Sequence, residues 1–139
     1  MVAQLFKDGF IVSRAVVRVM RNSDRTDEIH KVEEITGRPA YRKLLDDPAT
    51  HRILAERPEL SSHHLDFAWL RSLPADTLGG AYVRHLDGNG ITADYQAVGT
   101  HHVDDDRMSY LMRRFRQTHD VWHALLGLGI TGHEEVIIH

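Results

Sequence analysis

The chain has 139 residues, 42% hydrophobic and 27% charged, with no cysteine and a formal net charge of −3. It therefore has the length of one domain and an ordinary globular composition, which excludes a disordered or fibrous chain, a disulfide framework and a thiolate metal site. Net acidity argues against general nucleic-acid binding, and any bound metal must use His, Asp, Glu or water.

Val2 to Met20 contains no proline and carries Leu5, Phe6, Phe10, Val12, Val16, Val19 and Met20 over one broad side. Lys7, Arg14, Arg18 and Arg21 fall within about 60° of one another on a helix. The pattern predicts an amphipathic helix with a basic stripe. Either its apolar side packs into the core while the arginines face water, or it lies on an anionic membrane surface. Residues 1 to 22 lack a long apolar run and do not resemble a transit peptide, so a bacterial cytoplasmic protein, peripheral on the inner membrane, is the expected location.

Asn22-Ser23-Asp24 breaks this helix, and Asp24 or Thr26 caps a second one that runs to Thr36, where Gly37 and Pro39 stop it. Short helices are predicted over Tyr41 to Leu45 and Ala49 to Glu56, punctuated by Pro48 and Pro58. Leu65 to Leu70 reads as a further apolar turn with Phe67 and Trp69 in the core. Asp76 or Thr77 caps a helix from Leu78 to Leu86, in which Gly79-Gly80 permits close approach of a backbone or a ligand. Asp87-Gly88-Asn89-Gly90 is a turn signal, and Ile91 to His102 reads as a loop with one short extended stretch. The pairs His63-His64 and His101-His102 are expected to be solvated loop histidines. The longest helix is predicted from Asp105 to Leu126, with Asp104, Asp105 and Asp106 at its capping end and Met108, Leu111, Met112, Phe115, Trp122, Leu125 and Leu126 mainly in the core, or in part lining a lipid tunnel.

Within that long helix lies His119-Asp120-Val121-Trp122-His123. At about 100° per residue, positions 119, 120 and 123 share one face. Gly127, Gly129 and Gly132 end the helix and let the chain reverse, and Thr131 caps a second helix that brings Glu135 back towards the histidines. Imidazoles and carboxylates in this arrangement suit zinc and similar divalent cations. Taken alone, the spacing also fits two surface histidines in a chain that has 11. His133 and His139 rank below Glu135 as further ligands.

Asp104-Asp105, Met108 to Gln117, and His119-Asp120-x-x-His123 with Glu135 twelve positions on together resemble the signature of the Coq4 family of ubiquinone (coenzyme Q) biosynthesis proteins. Leu73-Pro74-Ala75-Asp76-Thr77-Leu78-Gly79-Gly80-Ala81-Tyr82 resembles that family's second characteristic segment. The resemblance covers the chain from about Phe6 to its last residue. The turn departs from the family's pattern, with Gly127 and Gly129-Ile130-Thr131 where a more Pro-containing loop is expected.

From this resemblance and the element pattern, the expected fold is all-α: residues 1–139 as a single-domain bundle of short and medium helices with one long metal-site helix, lacking the family's C-terminal helices. The resemblance implies a divalent metal, zinc first and iron or another redox metal as the alternative, held by His119, Asp120, His123 and Glu135, which are also the catalytic candidates. It implies a prenylated quinone precursor or other polyprenyl lipid as ligand, other ubiquinone-biosynthesis enzymes as partners, and a homodimer among the assemblies. The implied reaction is oxidative decarboxylation at ring carbon C1 of a prenylated hydroxybenzoate, replacing carboxyl by hydroxyl. The competing reading is a non-catalytic lipid-binding scaffold for the pathway's enzymes. A third takes His119-Asp120 as half of a metal phosphohydrolase site.

Overall fold

Helix-forming runs separated by Pro and Gly breakers give a chain built from helices. A computed structural model describes residues 2–21, 26–94 and 101–138. Among these the elements are α1 (Val2–Arg21), α2 (Thr26–Thr36), α3 (Arg38–Leu45), α4 (Pro48–Glu56), α5 (Phe67–Ser72), α6 (Leu78–Asn89), α7 (Asp106–Leu126) and α8 (Gly132–Ile138), with no strand. The expected cap at Asp24 and most of the expected extended stretch lie outside the described residues.

The two largest differences from the predicted boundaries, at the start of α3 and the end of α6, each have a local reason, while α5 lies two residues later than predicted, at Phe67–Ser72. The third helix starts at Arg38 because Pro39 falls in its first turn, where a missing N–H costs nothing. The sixth runs on through Asp87-Gly88-Asn89 and stops only at Gly90, which adopts φ 65°. Asp87 is held by a bidentate pair with Arg71 at 2.8 and 2.9 Å, and Asn89 Nδ2 donates to the His85 carbonyl, so neither residue is free to form a turn.

The contacts group into two compact units. The first comprises residues 1–56 and 100–112. Its core is Tyr41, Leu45, Met108, Tyr110, Leu111 and Met112, with Ile53, Leu54 and Val103 against it. Asp105 accepts from the backbone N–H groups of Arg107 and Met108, which caps α7 and holds its own carboxyl below the usual range, the Met108 bond being the largest cause. In α1 only part of the apolar side is covered. Ala15 is buried, whereas Phe6 and Met20 are 76% and 82% exposed and Leu5 and Phe10 are also open. The core-packed expectation for this helix therefore fails over most of its length. Arg18 leaves the basic stripe to pair with buried Glu28, whose carboxyl is lowered by that bond.

The second unit comprises residues 57–99 and 113–139. Its core is Tyr82, Leu86 and Ala93, with Phe67, Ile91, Val121 and Ala124 packed against it. This cluster fixes α6 against the second half of α7. Leu70 is the buried residue of α5, while Trp69, expected in the core, is exposed. Gly80 explains the glycine pair: a Cβ there would lie 2.1 Å from the Pro74 carbonyl oxygen, so the close approach is to backbone. Thr77 caps α6 by accepting from Gly80 N–H.

Candidate metal centre

The second half of α7 is inverted relative to an ordinary surface helix. Arg116, Gln117, Asp120 and His123 are buried, while Phe115, Trp122, Leu125 and Leu126 are exposed, Trp122 by 51%. Those four apolar residues share an arc of about 100°. The opposite arc carries Val121 and Ala124 into the apolar cluster and the polar residues beside them. The expectation that Phe115, Trp122, Leu125 and Leu126 belong mainly to the core is thus corrected: the inward face is taken by chemistry-bearing side chains.

The reversal after α7 is built from three local devices. Gly127 adopts φ 66°, and Leu128 N–H donates back to the His123 carbonyl, closing the helix in the manner that favours glycine. Glu134 then reaches back from the first turn of α8, accepting from Gly129 N–H at 2.8 Å, from Thr131 N–H at 3.1 Å and from the Thr131 hydroxyl. This is the carboxylate half of a capping box, with Thr131 at the N-cap position and its hydroxyl donating rather than accepting. These donors, the Thr131 hydroxyl first, hold the Glu134 carboxyl down at about 2. Glu135 N–H donates to the Thr131 carbonyl, which fixes the helical register of the next residue.

Consequently Glu135 meets the histidine pair. His119 Nε2 and Glu135 Oε2 are 2.9 Å apart, His123 Nε2 and His119 Nε2 are 3.0 Å apart, and His123 Nε2 and Glu135 Oε1 are 3.4 Å apart. The two rings meet edge to face, with centroids 4.7 Å apart. One ligand atom from each residue lies within 4.8 Å of the others. A tetrahedral ion with bonds of about 2.0–2.1 Å needs its ligand atoms about 3.3 Å apart, so the three donors fit a zinc-sized cation. Both imidazole Nε2 atoms and the carboxylate oxygens can turn lone pairs towards such a cation.

Of the four predicted site residues, the fold brings together His119, His123 and Glu135. Asp120 is buried, yet it is not one of the converging group. Its negative charge instead acts on Tyr82, whose phenol is pushed up to about 12, first by burial and then by Asp120. His133 is exposed beside the Thr131 hydroxyl, and His139 lies outside the described residues. His63, His64 and His101 are exposed, as expected of loop residues.

One residue of the site was missed in the sequence: His85. From α6 its ring stacks on His123, with centroids 5.2 Å apart and planes 16° apart. Burial, then the neighbouring His123, lowers its pKa. The available signal was Tyr82-x-x-His85, which puts both residues on one face of a helix opened by Gly79-Gly80.

Comparison with known proteins identifies the family. The family model for "Coenzyme Q (ubiquinone) biosynthesis protein Coq4" matches residues 2–139. The chain is 36% identical over 138 residues to a mitochondrial ubiquinone biosynthesis protein COQ4 of Blastomyces gilchristii, covering 96% of this chain and 48% of that one. It is 34% identical over 134 residues to the human mitochondrial COQ4 homolog, covering 94% and 50%. Against the Meyerozyma guilliermondii protein it is 40% identical over 101 residues, covering 73% and 32%. The chain thus spans about half the length, or less, of these relatives. No solved structure matches. The expectation of a bacterial cytoplasmic protein at the inner membrane is overturned, because these relatives are named as mitochondrial. That expectation rested on the composition of residues 1 to 22, which is weak evidence for a chain that spans half of its relatives. The match over residues 2–139 and the identities to these relatives make the chain a member of the Coq4 family of coenzyme Q biosynthesis proteins.

Proposed function

We propose that the chain holds a divalent metal at His119, His123 and Glu135 and acts in ubiquinone biosynthesis on a prenylated hydroxybenzoate, exchanging the C1 carboxyl for a hydroxyl. The observation that carries this reading is the convergence of two imidazole nitrogens and a carboxylate at 2.9–3.4 Å. Bound there, the ion would supply Lewis acidity and a template for the substrate's carboxylate or phenolate oxygen. Zinc suits the donor set, and a redox metal such as iron would also engage dioxygen.

The chain's own residues supply the rest. His119 and His123 would hold the ion through their imidazoles, and Glu135 would offset part of its charge from α8. Burial, and then Asp120 in the same unit, raises the Tyr82 phenol further above its ordinary value, so Tyr82 is a neutral wall. The exposed arc of Phe115, Trp122, Leu125 and Leu126 suits the apolar tail of a prenylated substrate. In the net reaction the ring–carboxyl bond breaks, carbon dioxide leaves and a ring–oxygen bond forms, so dioxygen, two protons and a two-electron donor are co-reactants and water is the second product. The exposed Phe6, Phe10 and Met20 of α1, beside Lys7, Arg14 and Arg21, suit an anionic bilayer surface, where such lipids reside. No helix among the described residues is long and apolar enough to cross a membrane.

Elemental analysis of the purified protein, combined with conversion of a prenylated 4-hydroxybenzoate, tests the reading. The parent is expected to carry about one equivalent of metal, and His119→Ala, His123→Ala and Glu135→Gln are expected to lose both metal and carbon dioxide release. Variants that lose the metal while a deletion strain still makes ubiquinone would favour the scaffold reading, in which the chain gathers other enzymes of the pathway.

A further inference from the structure

His85 sits on the face of a metal-site imidazole but is unlike the residues that hold the ion. A ligating imidazole keeps the metal in its own ring plane. Two rings stacked at 16° cannot both direct their planes at one ion, so His85 is no fourth ligand of the cation held by His123. Nor is it an inert filler, because its Nε2 is enclosed without a hydrogen-bond partner among the described residues. Buried polar atoms of this kind are rare enough to need an explanation.

Asn89 identifies what the free edge offers. The Asn89 amide nitrogen donates to the His85 carbonyl at 2.8 Å, which fixes which end of the amide is the nitrogen. The same nitrogen lies 3.4 Å from His85 Nδ1, so Nδ1 faces a donor and is the accepting edge of the ring. In the neutral imidazole the proton then belongs to Nε2. The unpartnered edge is an N–H donor, within electrostatic reach of His119, Asp120, His123 and Glu135.

We propose that His85 is a substrate-positioning residue whose Nε2–H donates to an anionic oxygen, carboxylate or phenolate, of an aromatic acid brought to the metal centre. This rests on the metal reading above and adds the chemical class of the group recognised beside the ion. Stacking on His123 sets the donor's position, and Asn89 sets its tautomer.

The test uses the full chain loaded with Co2+, whose visible band reports its ligands, and 4-hydroxybenzoate as the probe. His85→Phe preserves a stacking ring and removes the donor. It is expected to bind Co2+ within about twofold of the parent, with an unchanged band, while the band's response to 4-hydroxybenzoate requires about tenfold more acid, the size expected for a hydrogen bond to a charged group. His85→Gln, which restores an N–H, is expected to recover part of that loss, and circular dichroism verifies folding of each variant. His85→Phe protein that binds the acid as tightly as the parent, or a parent band indifferent to the acid, overturns the proposal. Loss of Co2+ binding confined to His85→Phe overturns it in favour of a direct ligand. A parent that takes up no Co2+ overturns the metal reading and this one with it.

Discussion

Gly80 provides the sharpest test of how α6, which carries His85, is held in place. A methyl group added there would sit 2.1 Å from the Pro74 carbonyl oxygen and 2.8 Å from Arg84 Nη1. The arginine tip can swing away. The carbonyl cannot, since it accepts from both Thr77 N–H and the Thr77 hydroxyl and so defines the corner that starts α6. Relieving the overlap means moving backbone by about 1 Å, and overpacking of this kind costs about 1–3 kcal/mol. Alanine's better helix propensity returns up to about 1 kcal/mol, so Gly80→Ala should destabilise by about 1–2 kcal/mol, or roughly 4–8 °C in Tm at this chain length. Gly88 lies in the same helix, with nothing within 4 Å of its added Cβ. There only the propensity gain remains, and Gly88→Ala should raise Tm by about 2–4 °C. Scanning calorimetry of the pair at one pH is the assay. A Gly80→Ala protein as stable as the parent, or two variants that shift in the same direction, would refute the claim that Pro74 backbone pins α6.

Other consequences are equally direct. Because the Glu134 carboxyl is held at about 2 against an ordinary 4.5, its contribution to stability is present above about 4.5 and lost as pH falls towards 2. Melting curves of parent and Glu134→Gln should therefore differ at pH 7 and converge through that window, and a constant difference would contradict it. Removing a negative neighbour should ease ionisation of the buried phenol, so Asp120→Asn should lower the Tyr82 transition from near 12 in an ultraviolet titration, burial keeping it above the ordinary value. Arg14→Ala and Arg21→Ala should each weaken co-sedimentation with anionic phosphatidylserine vesicles about fivefold, at about 1 kcal/mol per basic residue. Parent protein that ignores such vesicles would remove α1 as the bilayer-facing surface.

What the sequence made legible followed local periodicity. His119 and His123 are one helical turn apart, and the glycines after them announce a reversal, so a returning Glu135 could be anticipated from spacing. Asp120 shared the same arc by angle, yet its rotation of about 100° from His119 leaves it outside the group formed by His119, His123 and Glu135. His85 belongs to a different helix, and only the Tyr82–Leu86 cluster against Val121 and Ala124 brings it to His123. Such tertiary neighbours leave no periodic trace. The exposure of Trp122 shows the converse limit: size and apolarity favour burial only when the inward arc is not already occupied by polar groups such as Asp120 and His123.

The two consecutive carboxylates of α8 divide their labour, one lashing the Gly129–Thr131 backbone and the other facing the imidazoles. An ion seated between α7 and α8, as proposed, would act as a clasp for that corner. Its affinity becomes resistance to local opening, growing as RT ln(1 + [metal]/Kd), or about 2.7 kcal/mol at a hundredfold excess over Kd. Chelation should then surface first as protease nicking and rapid amide exchange between Gly127 and Glu134, before any change in the first compact unit. In cells, metal supply would govern the lifetime of this protein as well as its chemistry.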